Sequence, residues 1–582
     1  MDFRAHRKSV ILLAILLATS LCAGAVDLKG SVPGWVAVLG GNPICAPART
    51  SSGYAVPSDG RTLSLVSAGG AVIWEKSFRS RLQPFISVGI SDMIYTVTKD
   101  SGVHMVNPGG VLVWSHKAPF TVTEPPLCGS DGRIFLRGSD AMECVGLNGV
   151  SKWTLSLAAQ DTGTGAQFFP DGSILCVEKK LSDGKTRAVR VSPFGDVLEE
   201  ITFASRIAYV RSCAAGIILS FDDGSMGLCT VKDGAALSLW ALGRGALGSS
   251  SAPRILDVTD GACFMLAGTQ VKKIDLLTGE ILQSAVSPLD FQTIAYSGLT
   301  AQGLAVGDKK GAVCLSPDSL ETVWECTFPP QKKWSHMLCT DAGFVVLCTA
   351  SWSMEAYRVK QVPGKTGVSY RGIMTGAYRQ FYAEPGAASS NLTGPAIMEA
   401  GAEEYLALLK KGGIAGREAR LLPMLDAELS ALQEDWAWNS PGPGQERPFF
   451  RQNPDYGETI VSLAAASGTL LYQKNIAGLL RLITDRSFLL CVIKAAKESP
   501  YDADCTMLSA LEGIIRRGQF SKDIVILEAV CDAVYEICRF NGSARVAQKS
   551  QQILSYMLFP QYGYQVQKHA RSTLDKIIEL KL

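Results

Sequence analysis

The feature that most constrains this chain is a unit of about forty residues repeated along its first two thirds; self-similarity at such a period sets the architecture before any local reading. The clearest copy is DSGVHMVNPGGVLVW at residues 100–114. It reads as a polar turn, an alternating strand, a Pro-Gly-Gly turn and a second apolar strand ending on Trp114. DGRTLSLVSAGGAVIW (59–74) and GSDAMECVGLNGVSKW (138–153) keep the plan, and weaker copies cover 183–199, 223–240, 267–283 and 308–324. The terminal position falls at 74, 114, 153, 199, 240, 283 and 324, in steps of 40, 39, 46, 41, 43 and 41 residues.

Several short strands and a Gly-rich turn per unit of this length are the signature of a β-propeller blade. Strands such as 103–106 are too short to bury a face alone, so neighbouring units must stack. Gly109-Gly110 and Asn148-Gly149 supply the positive φ that a tight hairpin needs. The recurring Trp is expected to pack each blade against its neighbour. Long stretches of 3.6 period are missing here, which excludes a helical solenoid. The repeat, written DGxVxxLxxxTGxxxW, resembles the PQQ-like β-propeller family. That family includes quinoprotein dehydrogenases and the propeller lipoprotein of the outer-membrane β-barrel assembly machinery. The resemblance covers roughly residues 30 to 360.

The two ends of the repeat region are complementary. Trp35 lies 39 residues before Trp74 but has no first half of a unit in front of it. The stretch 334–359 has a first half with a poor second half. Ring closure follows, with the strand at Trp35 completing the blade begun near Trp334, and the count is eight blades. Were the turn at 365–368 to complete that blade, Trp35 would lie in a separate strand and the count would be seven.

Before the repeats, Arg4, Arg7 and Lys8 precede the apolar run 10–18 and the small residues Ala23-Gly24-Ala25. This is the pattern of an export leader cleaved after Ala25, giving a mature chain from Val26. The rival reading is lipidation at Cys22, against which the bulky Leu21 counts. No other run is long enough to span a membrane. A periplasmic protein, free or associated with the outer membrane, is expected.

At 582 residues the chain exceeds one ordinary core. The propeller is expected to occupy 26–360, and the Gly/Pro-punctuated stretch 361–397 to act as a linker or strap. From 398 to 582 the period becomes helical. Helices are expected at 403–411 and 417–433, then a Pro-rich insertion at 439–458 that excludes helix. Further on, Ile524, Leu527, Cys531, Val534 and Cys538 form one apolar stripe, Val546, Ser550, Ile553 and Met557 a second, and Val566, Ala570, Leu574 and Ile577 a third. Helix pairs joined by short turns resemble HEAT repeats. The fold class is thus an eight-bladed propeller followed by a HEAT-like helical domain.

The chemistry-bearing residues are sparse. Net charge is +2, which gives no electrostatic case for nucleic acid. The sixteen cysteines show no CxxC and no Cys/His metal spacing; most sit at strand positions as small buried hydrophobes. Cys339 with Cys348, or Cys314 with Cys326, are the cross-strand pairs to consider. Of five histidines, His104 and His116 read as structural strand residues. Gly243, Gly245 and Gly248 fit GxGxxG, but the segment enters serines rather than a helix and reads as an inter-blade loop. The resemblance implies that a quinoprotein would hold PQQ with a vicinal disulfide, a stacked Trp and a calcium trio. No two cysteines are adjacent here and no trio aligns, so neither a metal nor a cofactor is expected.

What remains is aromatic. Trp436, Trp438, Phe449, Phe450 and Tyr456, with Arg447 and Arg451, flank the Pro-rich insertion. Aromatic anchors with Arg nearby favour interfaces; the competing reading pins them to their own domain. The function expected is a non-catalytic, protein-binding scaffold of the cell envelope, with peripheral membrane association compatible. The alternatives are a degenerate quinoprotein or small-ligand enzyme using the central funnel, and an envelope sensor or surface adhesin.

Overall fold

The computed structural model describes residues 32–158, 165–178, 185–232, 234–243, 245–248, 251–286, 294–329, 332–362, 418–437 and 449–582. The leader with Cys22 and Ala25, the stretch 365–368, the helix expected at 403–411, and Trp438 and Arg447 lie outside these residues.

Eight antiparallel sheets form the blades of a propeller. Their inner strands are Ala48–Thr50, Leu82–Val88, Leu127–Cys128, Gln167–Phe168, Ile207–Cys213, Arg254–Val258, Tyr296–Thr300 and Trp334–Cys339, for blades 1 to 8. Their outer strands are Val72–Ser77, Leu112–Lys117, Ser151–Ser156, Val197–Phe203, Ala235–Leu242, Ile281–Val286, Thr322–Thr327 and, for blade 8, Trp35–Val38. That last strand comes from the other end of the repeat region: Trp35 faces Ala356 and Val38 faces Ser353. The ring closes as the incomplete end units imply, and closure removes two open sheet ends.

Every terminal position of the repeat lies on an outer strand. Five of the tryptophans lie across a glycine of the next blade: Trp35 on Gly70, Trp74 on Gly110, Trp114 on Gly149, Trp153 on Gly195 and Trp240 on Gly279. A Cβ at Gly110 would sit 2.7 Å from Trp74, so any side chain there would push the ring away. Four of these indoles also donate to a carbonyl of that turn: Trp74 to Pro108 (2.8 Å), Trp114 to Leu147 (2.9 Å), Trp153 to Pro193 (3.2 Å) and Trp240 to Leu276 (2.9 Å). Blade 4 carries Glu199 instead, which accepts from Ala236 N–H (2.8 Å) and from Arg190 Nε (2.6 Å). A charged clasp replaces the ring at that junction.

The helices are α1 (Glu418–Ala437), α2 (Phe449–Gln452), α3 (Pro454–Ala466), α4 (Gln473–Leu482), α5 (Arg486–Glu498), α6 (Thr506–Arg516), α7 (Ile524–Asn541), α8 (Ala544–Tyr556) and α9 (Tyr564–Glu579). They stack in two layers. α3, α5, α7 and α9 pack in succession in one; α1, α4, α6 and α8 do so in the other. Asp485, Asp523 and Ser543 cap α5, α7 and α8 by accepting backbone N–H groups. The expected stripes are buried apart from Ile524, at the exposed start of α7, and Leu574, which is half-buried. The expectation that 439–458 excludes helix is corrected over its second half, where α2 and the start of α3 lie. Pro454 occupies the first turn of α3, where its missing N–H has no helical partner to lose.

The helical stack docks on one end of blades 2 to 4. Two helix C-termini meet two hairpin turns. Beyond α3, Ala466 O accepts from the buried Lys152 Nζ (2.7 Å) and Gly468 O from Leu147 N–H (2.7 Å), while Leu470 N–H donates to Asp131 O (2.9 Å). At the end of α7, Arg539 O accepts from Asn107 Nδ2 (2.7 Å) and Arg539 Nη1 donates to Val113 O (3.0 Å). Phe194 of blade 4 is buried in the helical core, and Phe540 in the core of blades 2 and 3.

Candidate protein-binding surfaces

The aromatic candidates around the insertion turn inward where they are described. Trp436 stacks on Phe488 (centroids 5.5 Å apart) and carries Arg451 over its face at 5.2 Å. Phe450 and Tyr456 stack at 5.7 Å, and both are buried. Phe449 begins α2. The described side chains thus fasten α1, α2 and α3 to one another.

The propeller wall offers a different constellation. In blades 1 to 7 the third and outer strands slip by one residue just before the terminal position. In blade 1, Leu65 faces Trp74 and Val66 faces Val72, which leaves Ile73 unpaired. The same bulge leaves Val113, Lys152, Leu198, Leu239, Leu282 and Val323 unpaired in blades 2 to 7. A bulge re-aims the side chains on either side of it, and here it sets the residue that follows for docking on the next blade.

Burial divides these seven equivalent residues. Val113, Lys152 and Val323 are at most 9% exposed, whereas Ile73, Leu198, Leu239 and Leu282 are 40–50% exposed. The covered ones lie where the chain docks on itself. Val113 and Lys152 face the helical stack. Val323 lies under a short fifth strand, Lys360–Gln361, which pairs with Trp324 and Glu325; beyond it Val362 N–H donates to Val323 O (2.9 Å). The four uncovered residues each have an exposed apolar neighbour, Val72, Val197, Leu237 or Ile281. Repeat alignment carries the signal that identifies them, since the residue before the terminal position is apolar in every copy except Lys152.

On and beside the inner strands, carboxylates tie blades together. Asp257 accepts from Leu299 N–H (2.7 Å) and from Arg211 (2.8 Å). Asp341 accepts from Ala301 N–H (2.7 Å) and pairs with Arg49 (3.2 Å). Asp92 accepts from Ser51 N–H (3.0 Å). Each is engaged with a neighbouring blade.

The histidines make structural contacts: His104 Nδ1 with Ser115 (2.8 Å), His116 Nε2 with Glu143 (3.0 Å) and His569 Nε2 with Asp532 (3.0 Å). All fifteen described cysteines are free thiols. Neither cross-strand pair forms, because Cys314 faces Trp324, Cys326 faces Ala312, Cys339 faces Val345 and Cys348 faces His336. Burial pushes the Cys45 and Cys128 thiols up to about 12. Among the described residues, no three His, Cys, Asp or Glu side chains form a group that could hold a metal ion. No helix among them is long and apolar enough to cross a membrane. Gly243, Gly245 and Gly248 lie between two blades, as their surroundings in the sequence imply.

No family model and no curated protein matches the chain. Solved structures similar to it include BamB from Moraxella catarrhalis, at 12% identity and a TM-score of 0.42 over 56% of this chain and 99% of that one. Sqt1 of Saccharomyces cerevisiae is similar at 9% identity and 0.43, over 57% of this chain and 100% of that one. The computationally designed Ika8 protein is similar at 13% and 0.44, over 56% and 98%.

Proposed function

We propose that this chain is an exported, non-catalytic scaffold of the cell envelope that holds extended segments of other proteins along its propeller wall. One observation carries the reading: the bulge residue is covered in blades 2, 3 and 7, where the chain docks on itself, and left as bare aliphatic surface in blades 1, 4, 5 and 6. The strand Lys360–Gln361 is an internal example of the binding mode, backbone pairing to an outer edge with an apolar contact beneath. Export rests on the basic, apolar and small-residue segments of residues 4–25. The engagement of the carboxylates on and beside the inner strands with neighbouring blades supports a structural role for the funnel. The helical stack, HEAT-like in its paired layers, provides a second platform.

The test uses the mature chain and a fluorescent peptide of alternating Val and Thr flanked by lysines. Photo-crosslinkers are placed at positions 73, 198, 239 and 282, with 113 and 323 as covered controls. Crosslinking at the first set and not at the controls is the expected result, together with peptide binding, read by fluorescence anisotropy, that the crosslinker-free parent shows and the fourfold variant Ile73→Lys, Leu198→Lys, Leu239→Lys and Leu282→Lys loses. Peptide binding that survives the fourfold variant, or no binding by the parent, overturns it.

A further inference from the structure

We infer that a cavity at the junction of blades 3 and 4 binds a monovalent carboxylate bearing an apolar group. The cavity measures about 470 Å³, within the range of small-ligand sites. Its walls are largely apolar: Pro125, Pro126, Leu127, Phe135 and Met142. Arg137, which ends the second strand of blade 3, also lines it. The backbone there is held firmly, since Arg137 O accepts both the N–H (2.9 Å) and the hydroxyl (3.2 Å) of Thr123.

The guanidinium is the anomaly. Arg137 is 2% exposed, and Nε, Nη1 and Nη2 have no hydrogen-bond partner among the described residues. The other two deeply buried arginines of this region are well paired. Arg133 reaches Asp131 (2.6 Å) and Pro193 O (3.1 Å); Arg190 reaches Glu199 (2.6 Å), Asp171 (3.1 Å) and Gly234 O. An arginine does not escape burial by losing its proton, and an unpaired buried charge is strongly unfavourable. No described residue supplies its partner, and the cavity that it lines has room for one from outside the chain.

The chemistry of that partner follows from the fork and the walls. A planar guanidinium matches a carboxylate through two parallel hydrogen bonds. Glu124 also lines the cavity, its carboxylate taken by Ala166 N–H (2.9 Å). One cation beside one anion favours a singly charged ligand over a phosphate dianion. The apolar walls take an aliphatic or aromatic group. Two sources share this chemistry: a free fatty or aromatic carboxylate, and the C-terminus of a polypeptide with an apolar last residue. The cavity lies toward the strand ends remote from the helical stack, because the opposite end of the same hairpin, at Asp131, is the one that meets Leu470.

Calorimetry and thermal melts of the mature chain test this with octanoate, with a short peptide ending in Leu and a free carboxyl, with the same peptide amidated, and with inorganic phosphate. The expected result is stabilisation by octanoate or the free-acid peptide and none by the amide or phosphate. Response to the peptide alone identifies a chain terminus as the source, and response to octanoate a free carboxylate. Arg137→Met removes an unpaired charge at similar volume, so it keeps the fold while weakening carboxylate binding at least about tenfold. Arg137→Lys keeps the charge without the fork and binds weakly. No response to either carboxylate, which would leave water as the guanidinium's partner, overturns the assignment, as does equal binding by Arg137→Met or equal stabilisation by phosphate.

Discussion

Trp153 shows what one side chain does at the blade junctions. It is almost fully buried, lies against Phe135 (centroids 5.9 Å apart) and Gly195, and donates to Pro193 O. Trp153→Ala removes the ring and one of the two donors to that carbonyl, the other being Arg133, at a cost of about 3–5 kcal/mol. Urea unfolding of parent and variant measures it. The recurrence of Trp every forty residues or so made this role legible, because a large ring at a fixed phase of a short-strand repeat has only the next blade to bury against. Glu199 was legible only as a gap in the pattern. Its clasp with Arg190 depends on residues nine apart meeting across one hairpin, which no periodicity records. Arg137 carried no signal at all, since a strand-end arginine before a turn is ordinary until its burial is known.

At the scale of elements, the helical stripes were legible and the loops between helices were not. Asp502, in the turn before α6, illustrates the difference. It is buried and accepts from Met507 N–H (2.9 Å) and Leu508 N–H (2.8 Å), at the orphan donors of the first turn. Burial outweighs those donors and raises its carboxyl from 3.8 to about 6. A folded pKa above the unfolded one favours the protonated form. The contribution is complete below the unfolded pKa and is lost as pH rises through about 6. The stability of the parent relative to Asp502→Asn therefore falls across pH 4 to 6, by at most about 3 kcal/mol. Urea unfolding of both proteins across that range reads it. Pro454 makes the complementary point: prolines in 439–458 argued against helix, yet a proline at the start of one is compatible with it.

In the whole molecule, two bodies of different architecture share a seam of hydrogen bonds and exchanged aromatic side chains, Phe194 and Phe540. Lys152 at the bulge of blade 3 donates to Ala466 O just where α3 ends, so a cation meets the negative end of a helix. Lys152→Met leaves that part-buried carbonyl short of a donor, at about 1–3 kcal/mol, and loosens the seam without unfolding either body. Hydrogen exchange at the Leu147 and Leu470 amides, which bridge the two bodies, is expected to accelerate while exchange within the blades stays unchanged. The order of propeller and then helices was legible from the change of period along the sequence. The seam was not, because it is built from turn backbone and from single residues such as Asn107 and Arg539, far apart in sequence.

Ring closure also carries a temporal consequence. Among the described residues the strand Trp35–Val38 pairs only with Ser353 to Ala356, so the first of the described strands to be synthesised is the last to find its partner. Contacts of such long sequence separation form slowly. Until the eighth blade has emerged, the nascent chain holds a growing arc of blades with two uncovered end faces and the unpaired edges of Trp35–Val38. Any factor that attends this chain during synthesis or transport therefore has a long interval in which to meet those edges, and the interval ends when the ring shuts.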